Sequence, residues 1–265
     1  MRVLIRGAGD LASGVALRLH RAGFAVAMTD LPYPTAIRRT VAFSQAIALG
    51  ETQVEDVTAR LATADTAEAL WAKGEIPVLI DPEARCKEVL SPHVLVDAIL
   101  AKRNCGTAIT DAPLVIALGP GFTAGVDCHA VVETMRGHTL GRVIWDGQAL
   151  PNTNIPGLIG GFAGERVLRA PADGVFMPAL DIGAMVEAGD VAGYVGQAPM
   201  VCTISGVVRG ILPPNTPVKQ GMKSGDVDPR GNLSHCYTVS DKALAIGGGV
   251  LEAILQKTGL LGARN

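Results

Sequence analysis

One stretch near the start constrains this chain more than any other. Residues 2–30 read RVLIRGAGDLASGVALRLHRAGFAVAMTD. An apolar strand (Val3, Leu4, Ile5) leads into a glycine turn (Gly7, Ala8, Gly9). An amphipathic helix follows from Asp10, carrying Leu11, Val15, Leu17 and Leu19 and ending near Gly23. A second strand covers Val26 to Met28, with an acid, Asp30, at its carboxyl end. This order is a dinucleotide-binding fingerprint of the G-x-G-x-x-G/A kind, with Ala12 in the last place.

Each residue type has a physical reason in that reading. Gly7 permits a turn that a Cβ would block. Gly9 lets backbone N–H groups approach a phosphate, and Ala12 or Gly14 lets the helix pack close to the strand. The helix N-terminus offers unpaired N–H groups and partial positive charge to an anion. Asp30 follows at the distance where a carboxylate accepts hydrogen bonds from ribose hydroxyls, which favours NAD over NADP. Asp10 stands where a pyrophosphate would lie and would repel it. It reads either as a cap on the first helical turn or as the holder of a bridging cation, with Arg6 as an offsetting charge.

The composition, 48% hydrophobic and 4% aromatic with 32 Gly and 16 Pro, suits an α/β protein rich in tight turns. A net charge of −2 leaves no nucleic-acid footprint. No apolar run reaches the length of a membrane span, and a strand starting at residue 2 leaves no room for a signal peptide. Five scattered cysteines without a C-x-x-C pair point to free thiols and a cytoplasmic chain.

Periodicity predicts a helix over 37–49 with Arg38 and Arg39 in its first turns, then a strand over 52–61 and a helix over 66–73. Buried strands are expected at 77–81, 94–100 and 114–118. Alternation of this kind predicts an α/β fold, a Rossmann-like doubly wound parallel sheet spanning residues 1–165. From residue 166 the texture changes to short strands between Gly, Pro and Asp turns. Gly174-Val175 opens a unit running through Val186, Gly189 and Asp190. Gly206-Val207 opens a second one, through Val218, Gly221, Gly225 and Asp226. Paired units of this kind resemble the barrel-sandwich hybrid of biotinyl and lipoyl domains. Neither hairpin tip carries a clear modifiable lysine, so residues 166–240 are expected to form a β-rich domain without a swinging arm. A helix within 241–265 is expected to return to the first domain.

Parallel strands put their carboxyl ends on one edge, so the loops after them should line one cleft. Gly119, Gly121 and Gly125 form a second glycine-rich loop there, after the LVIAL strand. Lys102, Asn104 and Thr107 follow the VLVDAIL strand, where buried Asp97 needs a partner and Lys102 is the candidate. Asp127, His129 and Glu133 are candidate metal ligands, with His129 and Glu133 on one face if the stretch is helical. The same stretch also reads as a polar face with ion pairs, or as an anion site of Arg136, His138 and Arg142. Cys105 reads as a plain thiol, lacking a paired base. Asp226, Asp228 and Arg230 read as turn residues, and Gly247 to Gly249 as a second anion cradle.

Several segments, in order along nearly the whole chain, carry a resemblance. They are IRGAGDLASGVALRLHRAGF, AIRRTVAF, VDAILAKRN-x-GT, LGPGFTAG-x-D, ETMRGHTLGRVI, PNTNIPG, RVLRAPADG, GDVDPRG and SDKALAIGGGVLEA. Together they resemble the YqeB family, accessory proteins of the selenium-dependent molybdenum hydroxylase system. The start is more loosely similar to the nucleotide-binding half of the xanthine dehydrogenase accessory family. The resemblance implies a maturation role, with a molybdenum hydroxylase and its maturation factors as partners. It supplies no catalytic residues. The expected ligand is small and phosphorylated: NAD(P), another nucleotide, or the molybdopterin cofactor. Two rivals remain, an NAD(P)-dependent oxidoreductase and a nucleotide-gated binding module without chemistry. No membrane or nucleic-acid partner is expected, and a homo-oligomer is left open.

Overall fold

A computed structural model describes residues 1–259. Residues 260–265, the end of the expected C-terminal helix, lie outside the described residues. The chain divides into two compact units. Unit 1 comprises Met1–Pro34, Ala42–Asn152 and the residues from Val239 on; unit 2 comprises Thr35–Val41 and Thr153–Thr238. The division after Asn152 falls earlier than the expected 165/166.

Unit 1 begins with β1 (Arg2–Arg6), α1 (Asp10–Arg21) and β2 (Ala25–Asp30). It continues through α2 (Gln45–Leu49), β3 (Glu51–Val54), β4 (Val57–Leu61), α3 (Ala67–Trp71), β5 (Ile76–Ile80) and α4 (Lys87–Leu90). Then come β6 (Val94–Asp97), β7 (Leu114–Leu118), β8 (Thr123–Ala124), β9 (Ala130–Val132), β10 (Val143–Ile144) and β11 (Gly147–Gln148). One sheet has the order β10-β9-β7-β6-β1-β2-β5-β4-β3, while β8 and β11 pair separately. The fold is mixed α/β. The central strands pair in parallel, but β3 with β4 and β9 with β10 pair antiparallel. The expected single strand over 52–61 is therefore a hairpin, turned at Glu55 with φ +54°. So short a connection cannot make the crossover that a parallel pair needs.

Side chains alternate across the sheet, and both faces are buried. Leu4, Ala27, Leu79, Leu95 and Val115 pack with Ala67, Ala84, Cys86 and Leu90 from α3, α4 and the turn between β5 and α4. Their neighbours Val3, Ile5, Val26, Met28 and Val94 point the other way and are equally buried. That opposite face lies under α1 and the final helix, here called α6 (Asp241–Thr258).

Ser240 caps α6 by accepting a hydrogen bond from the Ala243 N–H at 3.2 Å. The helix thus starts before Gly247 to Gly249, which lie inside it. A Cβ on Gly247 would stand 2.8 Å from Arg18 Cγ and 3.0 Å from the Gly14 carbonyl oxygen. One on Gly249 would collide with the Gly141 carbonyl oxygen. Each interior helical glycine costs about 1 kcal/mol against alanine, and close packing on α1 and Gly141 offsets it. Gly247 and Gly249 serve helix packing while a Cβ on Gly248 would meet nothing within 4 Å, and all three lie inside the helix instead of forming the expected anion cradle before it.

Unit 2 holds β12 (Val167–Arg169), β13 (Gly174–Pro178), β14 (Met185–Val186), β15 (Val191–Val195) and β16 (Ala198–Val201). It ends with β17 (Gly206–Ile211), β18 (Thr216–Val218), β19 (Lys223–Asp228) and α5 (Ser234–Tyr237). Two four-stranded sheets result, β12-β19-β17-β14 and β16-β15-β13-β18. The sequence repeat pairs crosswise: β13 of the first unit joins β18 of the second, and β14 joins β17. Gly174 lies opposite Val218 and Gly206 opposite Val186, the same register twice. Phe176, Ala192, Val195, Val208, Ile211 and Val227 share one core.

Residues 35–41 belong to this unit, so the expected helix over 37–49 does not form as one piece. Ile211 N–H donates to the Ile37 carbonyl at 2.8 Å, and Arg39 Nε returns a bond to the Ile211 carbonyl at 2.8 Å. Arg38 Nη2 donates to the carbonyls of His235 and Thr238 at 3.0 and 3.1 Å.

The GDVDPRG segment is no simple turn. Asp226 and Asp228 alternate along β19 on one face and are buried. Arg166 and Arg209 both reach Asp226, at 2.7 and 2.6 Å. Arg209 also reaches Asp228 at 3.3 Å, where Arg230 joins at 2.6 Å and His235 Nδ1 at 3.6 Å. Burial pushes the Asp228 carboxyl up, but the hydrogen bonds from Arg230 and the charges of Arg209 and Arg230 outweigh it. The pKa is lowered from 3.8 to about 2.

A depressed carboxyl pKa stabilises the fold above the unfolded value, and that stability is lost as pH falls through the folded value. Unit 2 should lose about 2 kcal/mol through this group as pH drops from the ordinary 3.8 to about 2. Urea unfolding at pH 5 and at pH 2.5 measures it. Asp228→Asn should flatten that part of the slope, and an unchanged slope would show that the network does not hold Asp228 ionised.

Candidate functional site

The sheet reverses its order beside β1. From β1 it runs through β2, β5, β4 and β3 on one side, and through β6, β7, β9 and β10 on the other. The chain crosses over between β5 and β6, so the switch point lies between the carboxyl ends of β1 and β6. Ligands of open α/β sheets bind at such a point.

An ion pair occupies it. Arg6 and Asp97 are register partners on β1 and β6, both buried, with Arg6 Nη1 3.7 Å from Asp97 Oδ2. Thr107 sits between them: its Oγ1 accepts from Arg6 Nη1 at 2.9 Å and donates to Asp97 Oδ2 at 2.6 Å. Arg6 also donates from Nε to the Pro82 carbonyl at 3.0 Å and from Nη2 to the Cys105 carbonyl at 2.8 Å. Burial pushes the Asp97 carboxyl up, against the hydrogen bonds from Thr107 and Ile99 and the charge of Arg6. Lys102, the expected partner of Asp97, is exposed instead. A flexible ammonium would have to be desolvated to reach a buried carboxylate, whereas Arg6 arrives from the adjacent strand in register.

Asn104 shapes the same loop. Its Oδ1 accepts from the N–H groups of Gly106 and Thr107 at 2.9 and 2.8 Å, and its Nδ2 donates to the Thr107 carbonyl at 2.8 Å.

The two glycine loops share this edge, because β1, β6 and β7 are parallel. Both press on the chain leaving β6. Gly7 has φ +105°, and a Cβ on it would stand 2.8 Å from the Ala98 carbonyl oxygen. One on Gly121, at φ +108°, would stand 2.6 Å from Arg103 Cα. At Gly119 it would collide with Thr134, and at Gly14 it would meet Ala243 of α6. These four glycines answer needs of the fold. Gly125, at φ +83°, lies in a turn where its N–H donates to the Cys128 carbonyl at 2.8 Å.

Gly9 differs. Its backbone, at φ −69° and ψ −178°, is ordinary for any residue, and a Cβ there would meet nothing within 4 Å. It is the N-cap of α1 and makes no side-chain capping bond. The first intrahelical bond is Ser13 N–H to the Gly9 carbonyl at 2.8 Å. Asp10 follows in the first helical turn.

Asp30 holds the turn from beside it. Its Oδ2 accepts from the Ala8 N–H at 2.8 Å and its Oδ1 from the Leu31 N–H at 2.7 Å. Burial raises its pKa against those two bonds. Ser44 N–H donates to the Ala8 carbonyl at 2.9 Å, while the Ser44 hydroxyl, fully buried, has no hydrogen-bond partner.

The expected metal residues are spread apart. Residues 130–132 form β9, not a helix, so His129 and Glu133 lie far apart along an extended chain. Asp127 Oδ2 accepts from the Thr123 N–H at 2.7 Å, and His129 Nδ1 from the Val115 N–H at 2.9 Å. Glu133 accepts from the N–H groups of Thr134, Met135 and Leu150, at 2.7, 2.7 and 2.8 Å. No group of three such side chains could hold a metal ion among the described residues. Arg136 pairs with Asp241 through both oxygens, at 2.7 and 2.8 Å.

Sequence reasoning missed Thr107 as the bridge between Arg6 and Asp97. Its only signal is a hydroxyl ten positions after a buried acid. Thr107→Val keeps the shape but strands a buried carboxylate oxygen and a guanidinium N–H. It should destabilise unit 1 by about 1–3 kcal/mol, whereas Thr107→Ser should stay near wild type. Urea midpoints compare them, and equal midpoints for all three would deny the bridge its role.

One curated relative, "Uncharacterized protein YqeB" of Escherichia coli (strain K12), is 54% identical over 255 residues. The match covers 96% of this chain and 47% of the relative, so the chain spans about half that protein's length. No family model matches the chain. Solved structures are only distantly similar. A succinylglutamate desuccinylase/aspartoacylase from Rhodobacter sphaeroides is 25% identical over 24% of this chain and 22% of its own, at a TM-score of 0.22. The ectoine utilization protein EutE (DoeB) from Ruegeria pomeroyi is 16% identical over 76% and 56%, at 0.24. An aspartoacylase family protein from Mesorhizobium loti is 8% identical over 85% and 84%, at 0.28. Scores this low assign neither fold nor activity, and the sequence match alone places the chain: it belongs to the YqeB family.

Proposed function

We propose that unit 1 is a Rossmann-like, doubly wound domain that binds a phosphate-bearing ligand, a nucleotide or the molybdopterin cofactor, at the carboxyl edge beside β1. In this reading the protein assists the maturation of a molybdenum hydroxylase. That context rests on the family resemblance of the motifs. The ligand class rests on Gly9, the one fingerprint glycine that the fold itself does not require. Bare space at its Cβ position, beside a helix start without a side-chain cap, fits an anion approaching the backbone. The remaining amides of the first turn would hold the phosphate, since Asp30 already occupies the Ala8 N–H. Asp30 keeps further lone pairs for ribose hydroxyls, which favours NAD over NADP. Asp10 disfavours a bare pyrophosphate and supports a ligand that arrives with a cation.

Gly9→Ala separates ligand from fold. At its ordinary backbone angles the variant should be as stable as wild type, or more stable by about 0.4–1 kcal/mol. Gly9→Val should bind at least about tenfold more weakly whichever of NAD, NADP or isolated molybdopterin cofactor the wild type binds in calorimetry. If wild type binds none of them, or Gly9→Val binds as tightly, the reading fails. Gly7→Ala is the contrasting control, because its φ and the Ala98 carbonyl predict a loss of stability.

A further inference from the structure

Within unit 2, the cluster on β19 holds three guanidiniums, of Arg166, Arg209 and Arg230, against the two carboxylates of Asp226 and Asp228. Arg166 is only 5% exposed. Its Nη1 donates to Asp226 at 2.7 Å and its Nη2 to the Gly157 carbonyl at 3.3 Å. Its Nε–H is buried and meets no acceptor. His235 Nδ1 is also buried without a hydrogen-bond partner, 3.6 Å from Asp228 Oδ2. A guanidinium offers donors in a fixed fork, and a buried one is stable when each meets an acceptor. A buried guanidinium with an orphan donor calls for an acceptor, and an anion is the strongest one. The carboxylates do not meet that need, because neither Asp226 nor Asp228 accepts a hydrogen bond from Arg166 Nε.

We propose that unit 2 carries an oxyanion-binding site of its own, in which Arg166 Nε donates to a small phosphate or carboxylate group and the guanidinium charge attracts it. Gly157 belongs to the PNTNIPG segment, so the same arginine ties that loop to β19 through Asp226. This site is built from residues of unit 2 alone and does not depend on a ligand beside Gly9.

The test uses the full chain carrying Gly9→Val, which should weaken any anion binding at α1, and compares it with the same chain carrying Arg166→Lys as well. Calorimetric titration with inorganic phosphate and, in a second arm, with acetate identifies the preferred anion. Saturable binding of either is expected. Arg166→Lys keeps the charge but lacks the Nε–H, and should weaken that binding about tenfold or more. No binding in either arm, or equal affinity in Arg166→Lys, overturns the site and leaves the cluster a structural ion-pair network. Should Arg166→Lys fail to fold, the arginine Nε–H resonances of the folded parent decide. A buried Nε–H that shifts saturably with the anion supports the site, and one that does not move defeats it.

Discussion

The Arg6–Asp97 pair is the constraint on which unit 1 depends. It sits where the strand order reverses, at adjacent register positions of β1 and β6. Removing one partner of such a pair costs about 3–5 kcal/mol, because the other is left charged in the interior. Here the pair also fixes loops. Through Thr107, Cys105 and Pro82 the guanidinium gathers the chain leaving β5 and β6. That chain in turn receives Gly7 and Gly121 at distances no side chain would allow. The glycine turn thus packs against a chain segment that a buried charge holds in place.

Unit 2 reaches its order by a different route. Its two repeats exchange strands, so each Gly-Val start lies against the other repeat's valine. Neither repeat completes a sheet without the other. The ion network on β19 adds buried polar contacts beside this core, with Arg209 joining Asp226 to Asp228 along the strand.

Much of the β1–α1–β2 unit is legible in the sequence, because hydrophobic period, glycine and acid fall within thirty residues of each other. The strands at Ile76–Ile80, Val94–Asp97 and Leu114–Leu118 are legible for the same local reason. The paired Gly-Val units likewise announce a β-rich region. What stays hidden depends on partners far apart in the chain. Arg166 and Asp226 are separated by 60 positions and Arg6 and Thr107 by 101. No window of sequence shows either pair. GDVDPRG therefore reads as a turn, although its acids are core residues. Gly247 to Gly249 read as an anion cradle ahead of a helix because propensity disfavours glycine inside one, and only α1 and Gly141 reveal why Gly247 and Gly249 stand there. Arg38 and Arg39 look like part of a helix until the β-rich unit claims their guanidiniums.

The division of the chain also sets an order of events. Unit 1 is assembled from three segments, and unit 2 interrupts it twice. On a ribosome, α6 emerges after every residue of unit 2 has been made. Until then the flank of α1 that receives Ala243 and Gly247 stays bare, as does the sheet face that α6 covers. Domains tend to fold as units while synthesis proceeds, yet the first strands of this chain must wait for residues 241–258 before their packing is complete. Unit 2 needs nothing made after Thr238. Of the two units, the one begun earlier is thus completed later.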